Sequence, residues 1–365
     1  MKKNLNNNYV KGYIEGYYGR LLDWENRKLI IKSLDKNKMN TYFYAPKEDK
    51  NHRLNWRETH SLKWRNKFRN FIDYSKKYNI NVIAGIAPGL DFDFKKLTSH
   101  SFEKKNYDFD LLYKKSKQLL DDGATNIALL LDDIPDNFIK NFGNKISEGS
   151  SHALLANLLS AKLNKDIYFV PRIYADELIN DEPKYLLDLS LILNQNIKVF
   201  YCGKNVVSKK ITKNTKIKNI LKNEIIYWDN YYANDYCPRR IFIGPYLGRN
   251  GLDNYMINPT GLINTDLLIL DIVANTINKK NPTKDWLKTL NNHNVPKEFK
   301  NIKNFFLKPN FNNDFILQLN SLDSKYFKAI EFILWSWKGK LAREWYPFVF
   351  GLKLIFLGTF NIFSF

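Results

Sequence analysis

Residues 125–137 read TNIALLLDDIPDN, an apolar run that ends abruptly in two adjacent carboxylates, Asp132 and Asp133. A short run that is apolar at successive positions is typical of a strand buried on both faces, as in a parallel sheet. Burying charged groups at the end of such a strand costs free energy unless they are paired, hydrated or bound to a ligand. The stretch therefore predicts a covered parallel sheet with a candidate site at one strand end.

Similar apolar runs recur along the chain, roughly 25 to 45 residues apart, as the strands of a (β/α)8 barrel do. With the first run, eight strands are predicted, which begin near Gly12, Asn40, Asn81, Asn126, Ile167, Lys198, Glu224 and, less clearly, Asn254. Polar or aromatic residues follow most of them, namely Glu15, Lys47, Asp91, Asp132, Asp133, Tyr174, Tyr201, Asn230 and Asn258.

Helical patterns separate the strands. One apolar face contains Phe68, Phe71, Ile72 and Tyr78 after a candidate cap at Ser61, and another helix, containing Leu112, Leu119 and Leu120, leads to Gly123. Alternating strands and helices place the chain in the α/β class. We predict a (β/α)8 TIM barrel whose strand ends share one mouth. A doubly wound open sheet is the structural alternative.

The composition limits the remaining classes. The 365 residues carry a formal charge of +20, which leaves open an anionic partner or mere drift toward lysine, because the lysines are scattered among asparagines. We expect no nucleic-acid partner. Two cysteines, Cys202 and Cys237, fit neither a disulfide framework nor a metal site. No apolar signal segment precedes the first strand, so we expect a cytoplasmic protein.

Two neighbouring carboxylates have three readings. One carboxylate can cap the following loop while the other is solvated. The pair can bind magnesium at the end of a nucleotide-hydrolase strand, but the sequence lacks the G-x-x-x-x-G-K-[ST] loop that this reading needs. Alternatively, both turn toward the mouth where the pleat ends, and their repulsion raises the pKa of one, which then suits a general acid.

Seven segments resemble glycoside hydrolase family 84, the O-GlcNAcase and β-N-acetylglucosaminidase family. They are YIEGYYGR (13–20), MNTYFYAPKEDKNHRLNWRE (39–58), ALLLDDI (128–134), FYCGKNVVSKKI (200–211), YWDNYYANDY (227–236), IFIGPYLGR (241–249) and INPTG (257–261). Together with the residues between them, these segments cover roughly residues 9–280. The resemblance implies a (β/α)8 catalytic barrel without a cofactor, in agreement with the periodicity.

The resemblance also implies a reaction. Family members remove β-linked N-acetylglucosamine with retention, using the 2-acetamido oxygen of the substrate as nucleophile and forming an oxazoline. By motif position, Asp132 would polarise the acetamido N–H, and Asp133 would protonate the leaving oxygen and later activate water. The substrate would be a glycan, glycopeptide or glycoprotein that carries β-linked N-acetylglucosamine.

Other site residues are carried over by motif position. Gly16 and Lys47 match contacts to sugar hydroxyls, and Tyr174 matches a tyrosine that bonds the acetamido oxygen. Trp228 matches the aromatic wall around the acetamido methyl. Asn230, Asp235 and Asn258 match hydrogen-bonding positions. The segment VPRIY and the pair Tyr201 and Cys202 depart from common relatives, which leaves the leaving-group preference open.

The segment after residue 280 reads as amphipathic helices. We predict a catalytic barrel over residues 9–280 and a helical C-terminal region over 281–365. The apolar tail, residues 345–365, is interpreted as a packed or dimerising helix, with a membrane anchor or a truncated end as alternatives. We expect no membrane association and allow a homodimer through these helices. The alternative functions are a catalytically silent sugar-binding barrel and a basic polyanion-binding protein.

Overall fold

The computed structural model describes residues 9–95, 97, 106–143, 146–179, 183–212, 216–307 and 324–357. Eight parallel strands close into one barrel in chain order, and the last strand pairs with the first through Lys11 and Tyr255. The predicted (β/α)8 barrel is therefore confirmed, and the doubly wound alternative is wrong because an open sheet has two unpaired edges. The strands are β1 (Lys11–Glu15), β2 (Thr41–Tyr44), β3 (Asn81–Ile86), β4 (Asn126–Leu130), β5 (Tyr168–Val170), β6 (Lys198–Tyr201), β7 (Ile225–Asp229) and β8 (Tyr255–Ile257).

Helices cover the outside of the barrel and continue beyond it. The α-helices are α1 (Trp24–Lys36), α2 (Leu62–Lys77), α3 (Tyr107–Asp121), α4 (Phe138–Phe142), α5 (Glu148–Leu163), α6 (Lys184–Ile192), α7 (Lys216–Ile220), α8 (Ile263–Thr276), α9 (Pro282–Asn292), α10 (Phe299–Ile302), α11 (Ser324–Trp335) and α12 (Lys340–Phe356). Short 3₁₀ helices span Asp176–Leu178 and Lys303–Phe306. Each barrel strand thus leads into a loop at one common face, where side chains from distant parts of the chain can meet.

Local signals fix where the helices begin and end. The Ser61 side chain accepts a hydrogen bond from Trp64 N at 3.3 Å, so α2 starts at the predicted cap. After α3, Gly123 has a φ of +102°, a left-handed conformation that favours glycine at a helix end. Both predicted boundaries are confirmed.

The barrel interior and the helix layer form two packed cores. Inward-facing side chains, among them Ile14, Phe43, Leu130, Phe200 and Met256, fill the barrel, and the Phe43 and Phe200 rings lie 5.0 Å apart. The outward-facing residues of the same strands pack against the helices. The filled interior leaves only the strand ends open to ligands.

The C-terminal helices pack on the barrel through α8. The first turn of α8 receives no side-chain cap from Leu262, and Glu344 on α12 supplies one instead. Its carboxylate accepts hydrogen bonds from Asn264 N at 2.9 Å and Thr265 N at 2.8 Å. Trp345 beside it is fully buried. The described part of the tail is therefore a packed helix that stabilises a barrel helix.

Residues 358–365 of the tail lie outside the described residues. Within the described ranges, no helix combines the length and apolar character needed to cross a bilayer. The division between a barrel over 9–280 and a helical region over 281–365 stays a prediction.

Candidate active site

The two carboxylates at the end of β4 both line one cavity at the carboxyl-terminal face of the barrel. Asp133 has a φ of +53°, which is uncommon for a residue other than glycine. Adjacent side chains on a regular strand point to opposite faces. The left-handed residue breaks that alternation, so both carboxylates reach the same space, as the sequence predicts.

The cavity has a volume of about 350 Å³, near the small end of the usual range for ligand sites. All nine predicted site residues line it, and they come from six of the eight strand ends and from the loops that follow. They are Gly16, Lys47, Asp132, Asp133, Tyr174, Trp228, Asn230, Asp235 and Asn258. The structure brings the predicted set together in one place.

Asp132 is held on one side only. The Lys47 ammonium lies 2.5 Å from its Oδ2 atom and 3.9 Å from Asp133 Oδ2. Asp132 is 6% exposed, and its Oδ1 atom is buried without a hydrogen-bond partner among the described residues. A buried carboxylate oxygen usually has a partner, so the Oδ1 atom of this cavity-lining residue is a candidate acceptor for a hydrogen bond from a ligand.

Asp133 is bonded by two phenols. Tyr174 donates to Oδ1 at 2.6 Å, and Tyr18 donates to Oδ2 at 2.8 Å. Burial and then the charge of Asp133 raise the pKa of Tyr174 far above its usual value, so the phenol stays protonated. The same causes raise the pKa of Tyr18. The Asp133 side chain remains 32% exposed, so water and ligand can reach it.

An aromatic and amide wall faces the carboxylates. Trp228 Nε1 and Asn258 Nδ2 both donate to Asn230 Oδ1, at 2.9 and 2.8 Å. Gly16 N donates to Asn258 Oδ1 at 3.2 Å, and a Cβ atom at Gly16 would lie only 2.5 Å from the Trp228 ring. The glycine is therefore required for the close approach of the indole. This chain of hydrogen bonds fixes the wall before any ligand binds.

The outer part of the cavity is lined by Asp235 and Tyr236. Asp235 Oδ2 accepts from Tyr18 N at 3.0 Å, so it links the loop after β7 to the loop after β1. Cys202 lies at the inner wall, where burial raises the pKa of its thiol well above the usual range. A protonated, buried thiol is suited to packing and not to nucleophilic chemistry.

Two residues expected near the mouth, Glu15 and Asp91, lie elsewhere, as does Arg172 of the segment VPRIY. Glu15 points outward and forms a buried ion pair with Arg27 of α1 at 2.8 Å. Asp91 binds Trp56 Nε1 at 2.8 Å, and the Arg172 guanidinium binds Glu148 of α5 at 2.6 Å. For Glu15, the alternation along β1 decides the outcome, because it faces the helices while Gly16 faces the cavity.

Sequence reasoning missed Tyr18 and Arg53. Tyr18 lies in the quoted segment YIEGYYGR, where a second tyrosine two residues after the predicted Gly16 was the only signal. Arg53 donates to the backbone oxygen of Asp133 at 2.7 Å, and nothing in the sequence distinguishes it from Arg57 in the same segment or predicts this contact.

The described residues contain no group of three or more histidine, cysteine, aspartate or glutamate side chains arranged to hold a metal ion. The hydrogen-bonding groups around the cavity are carboxylate, ammonium, amide and phenol groups. Such a set, with apolar walls from Val170, Phe200 and Trp228, suits a polar ligand with an apolar face.

Comparisons with known proteins agree with this architecture. The model of the beta-N-acetylglucosaminidase family matches residues 11–306. The chain is 32% identical over 258 residues to the Protein O-GlcNAcase of Rattus norvegicus and equally to that of Mus musculus, an alignment that covers 66% of this chain but 26% of each relative. The chain thus spans about a quarter of the length of these curated relatives.

Two solved structures share the fold. A point mutant of the Thermobaculum terrenum O-GlcNAc hydrolase superposes with a TM-score of 0.77 at 22% identity, over 95% of this chain and 82% of the other. The structure titled CpGH84B superposes with a TM-score of 0.75 at 21% identity, over 96% of this chain and 70% of the other. The resemblance to glycoside hydrolase family 84 is confirmed. The chain belongs to the beta-N-acetylglucosaminidase family.

Proposed function

We propose that the protein is an exo-acting, retaining β-N-acetylglucosaminidase that uses the 2-acetamido group of its substrate as nucleophile. The observation that carries the proposal is the buried Oδ1 atom of Asp132, which has no hydrogen-bond partner among the described residues and belongs to a residue that lines the cavity beside a second carboxylate of different surroundings. A buried acceptor of this kind fits the N–H donor of an acetamido group. The shared family and the glycosidase names of the relatives support the same activity.

In the first step, the acetamido oxygen attacks C1, and the bond between C1 and the glycosidic oxygen breaks. Asp132 accepts the acetamido N–H proton, which raises the electron density on the attacking oxygen. Asp133 gives its proton to the leaving oxygen, and a neutral oxazoline forms. No enzyme nucleophile is needed, in contrast to the scheme in which two carboxylates flank the bond from opposite sides.

In the second step, water attacks C1 from the face that the leaving group vacated. Its proton passes to Asp133, the oxazoline opens, and the proton on Asp132 returns to nitrogen. Two inversions give net retention. The 32% exposure of the Asp133 side chain supports this step, because water must reach its carboxylate, whereas Asp132 is far more buried.

The rest of the cavity supplies binding. We propose that Trp228 packs on the acetamido methyl and that Tyr174 bonds the acetamido oxygen. The Tyr174 hydroxyl lies 2.6 Å from Asp133 Oδ1, so this oxygen would lie close to the acid. Gly16, Lys47, Asn230, Asp235 and Asn258 would bond the acetamido group and the sugar hydroxyls. An indole wall opposite convergent polar groups suits a sugar ring, which has apolar and polar faces.

Hydrolysis of 4-methylumbelliferyl N-acetyl-β-D-glucosaminide tests the proposal. Asp133→Asn keeps the side-chain shape, and asparagine tolerates the left-handed backbone at this position. We expect kcat/KM to fall about 100- to 10,000-fold, the usual contribution of an acid–base group. An Asp133→Asn enzyme with wild-type rate would contradict the role.

Asp136→Asn is the matched control, because Asp136 lies in the same loop and is 69% exposed. We expect its kcat/KM to stay within about twofold of wild type, because the exposed side chain makes only a long ion pair, 3.6 Å from Arg172. An equal loss in both variants would indicate a general disturbance of the loop and not the loss of an acid.

The substrate class is also a proposal. We expect β-linked N-acetylglucosamine to be removed, including O-GlcNAc on serine or threonine, because the relatives are named Protein O-GlcNAcase. Turnover of an O-GlcNAc peptide, chitobiose and a muropeptide should be compared at equal concentration. A higher kcat/KM on chitobiose or muropeptide than on the peptide would overturn the protein-directed assignment.

We further propose a reducing, cytoplasmic location and a homodimer through the C-terminal helices. Both cysteines are free, which supports a reducing compartment. Phe332, Trp335 and Tyr346 on α11 and α12 are 40–50% exposed, which supports an interface there. Sedimentation equilibrium of the wild type and of Trp335→Asp tests the dimer, and a wild-type monomer at micromolar concentration would refute it.

A further inference from the structure

Arg53 contacts the backbone of the catalytic pair from the loop between β2 and α2. Its guanidinium donates to the carbonyl oxygen of Asp133 at 2.7 Å and, more weakly, to that of Asp132 at 3.4 Å. Arg53 is only 8% exposed. A buried guanidinium that binds two successive carbonyl groups is a specific arrangement, because its planar fork presents several donors in fixed directions.

The backbone at this point is strained. A φ of +53° at Asp133 costs free energy in a residue with a Cβ atom, typically about 1 kcal/mol or more. The same conformation lets two adjacent carboxylates face one cavity. The Arg53 guanidinium is bonded to the carbonyl groups on both sides of the Asp133 Cα atom, so it can hold the turn at this residue.

Arg53 is itself firmly placed. Its neighbour His52 is 1% exposed, and the His52 Nδ1 atom lies 2.9 Å from Gly85 O of β3. The backbone oxygen of His52 accepts from Ala87 N at 2.9 Å. The loop is thus fixed to the end of β3, next to β4, so the guanidinium can act as a rigid support.

The two carboxylates depend on Arg53 to different degrees. The side chain of Asp132 has its own buried anchor, the Lys47 ammonium at 2.5 Å. Among the described residues, the side chain of Asp133 accepts hydrogen bonds from the phenols of Tyr18 and Tyr174, and the Lys47 ammonium lies farther away, 3.9 Å from its Oδ2 atom. The shorter Arg53 bond goes to Asp133.

We propose that Arg53 is a positioning residue for the acid–base step: it holds the left-handed turn that aims the Asp133 carboxylate at the glycosidic oxygen. This inference rests on the proposed function. A group that places the acid acts only on bond cleavage that needs a proton. The fall in rate that follows its replacement must therefore depend on the leaving group of the substrate.

The test compares Arg53→Lys with wild type on two aryl N-acetyl-β-D-glucosaminides by kcat/KM, which reports the first bond cleavage. The phenyl glycoside needs a proton at its leaving oxygen, and the 2,4-dinitrophenyl glycoside does not. Lysine keeps the charge but has no planar fork. We expect a loss of about 10- to 100-fold on the phenyl glycoside, as a small misplacement gives, and less than about threefold on the dinitrophenyl glycoside.

Arg57→Lys is the matched control. Arg57 lies on the same loop but binds Asp91 and Asp108, outside the cavity. We expect equal changes on both substrates in this variant. If Arg53→Lys unfolds, Arg53→Gln replaces it, with folding followed by circular dichroism.

The outcomes separate the two proposals. A wild-type protein that hydrolyses neither glycoside would refute the proposed function. An active wild type with an Arg53 variant that loses both rates equally would refute the positioning role alone. Two Arg53 variants that both fail to fold would also refute it, because Arg53 would then be a residue of the fold and not of the acid–base step.

Discussion

Two buried carboxylates at the same face of the barrel are treated differently. Asp132, after β4, has one partner for one oxygen, and its other oxygen has none among the described residues. Asp266, in the first turn of α8, is fully buried and accepts four hydrogen bonds, from Tyr13 OH at 2.8 Å, Thr260 Oγ1 at 2.6 Å, Thr260 N at 3.0 Å and Gly261 N at 2.9 Å.

The difference separates a carboxylate of the fold from one that we propose acts on the substrate. Asp266 lies on α8 and binds both β1 and the loop after β8, so both of its carboxylate oxygens have hydrogen-bond donors within the protein. Asp132, which lines the cavity, has one oxygen without a partner among the described residues, an arrangement that lowers stability. Burial alone does not distinguish the two, because both are less than a tenth exposed. The number of hydrogen-bond partners distinguishes the two carboxylates.

The largest effect is expected at Asp132. Asp132→Asn keeps an oxygen for Lys47 but cannot take the acetamido proton, so kcat/KM on the methylumbelliferyl glycoside should fall about 100- to 10,000-fold. The free energy of unfolding in urea should fall by about 1 to 2 kcal/mol, because the ion pair loses one charge while the amide oxygen still accepts from Lys47 and the Asp133 carboxylate lies 3.9 Å from the ammonium. A large loss of stability with normal activity would invert the comparison.

Asp266→Ala should show the opposite pattern. It leaves four donors without an acceptor, two of them backbone N–H groups, so the free energy of unfolding should fall by about 3 kcal/mol. The measurement belongs at pH 8, because burial raises the pKa of Asp266 to about 7. The activity of the folded fraction should match wild type. Asp73→Asn, at an aspartate whose side chain is 69% exposed, is the control for stability.

Asp271 extends the comparison to cationic partners. Burial raises its pKa, but the bonds from His293 at 2.8 Å, Lys36 at 2.6 Å and Asn37 at 2.8 Å outweigh burial and lower the pKa to about 2. A pKa below the ordinary value contributes stability above about pH 4 that is lost as the pH falls toward 2.

The stability difference between wild type and Asp271→Asn should therefore be about 1 to 2 kcal/mol at pH 5, discounted for the exposed Lys36, and should shrink between pH 5 and pH 3. Urea unfolding at each pH measures it. A difference that is constant across this range would show that the bonds do not favour the ionised form.

The smallest effects come from one substitution made at two places. Tyr13 donates to Asp266 and Tyr18 donates to Asp133, each at 2.8 Å, from positions five residues apart. Tyr13→Phe should lower the free energy of unfolding by about 1 kcal/mol and leave activity intact. Tyr18→Phe should lower kcat/KM about three- to tenfold and leave stability intact. Equal effects on both properties would weaken the distinction between the regions.

Much of the fold was predictable because its signals are local. Apolar runs, amphipathic faces and a cap at Ser61 depend on neighbours in the chain, and repeated βα units have few ways to close. The eight strands and their order are confirmed. The nine candidate site residues lie around one cavity because strand ends of a barrel converge, so motif position was a sound guide to location.

The contacts within the site were not predictable. Arg53 and Asp133 lie 80 residues apart, Tyr18 and Asp133 lie 115 apart, and their bonds depend on loop conformations that carry no sequence period. Glu15 was expected at the mouth but faces Arg27 on α1, because the β1 pleat turns it outward. The packing of Glu344 against α8 likewise joins positions 79 and 80 residues apart.

The sequence by itself determined which residues lie at the strand ends, because the alternation of strands and helices follows from local hydrophobic patterns. It also identified Asp132 and Asp133 as the charged pair. Only the tertiary structure decided which oxygen stays unpaired, which phenols bond Asp133 and which guanidinium holds its turn. Those outcomes depend on the closure of the barrel, which brings loops from distant parts of the chain within hydrogen-bond distance.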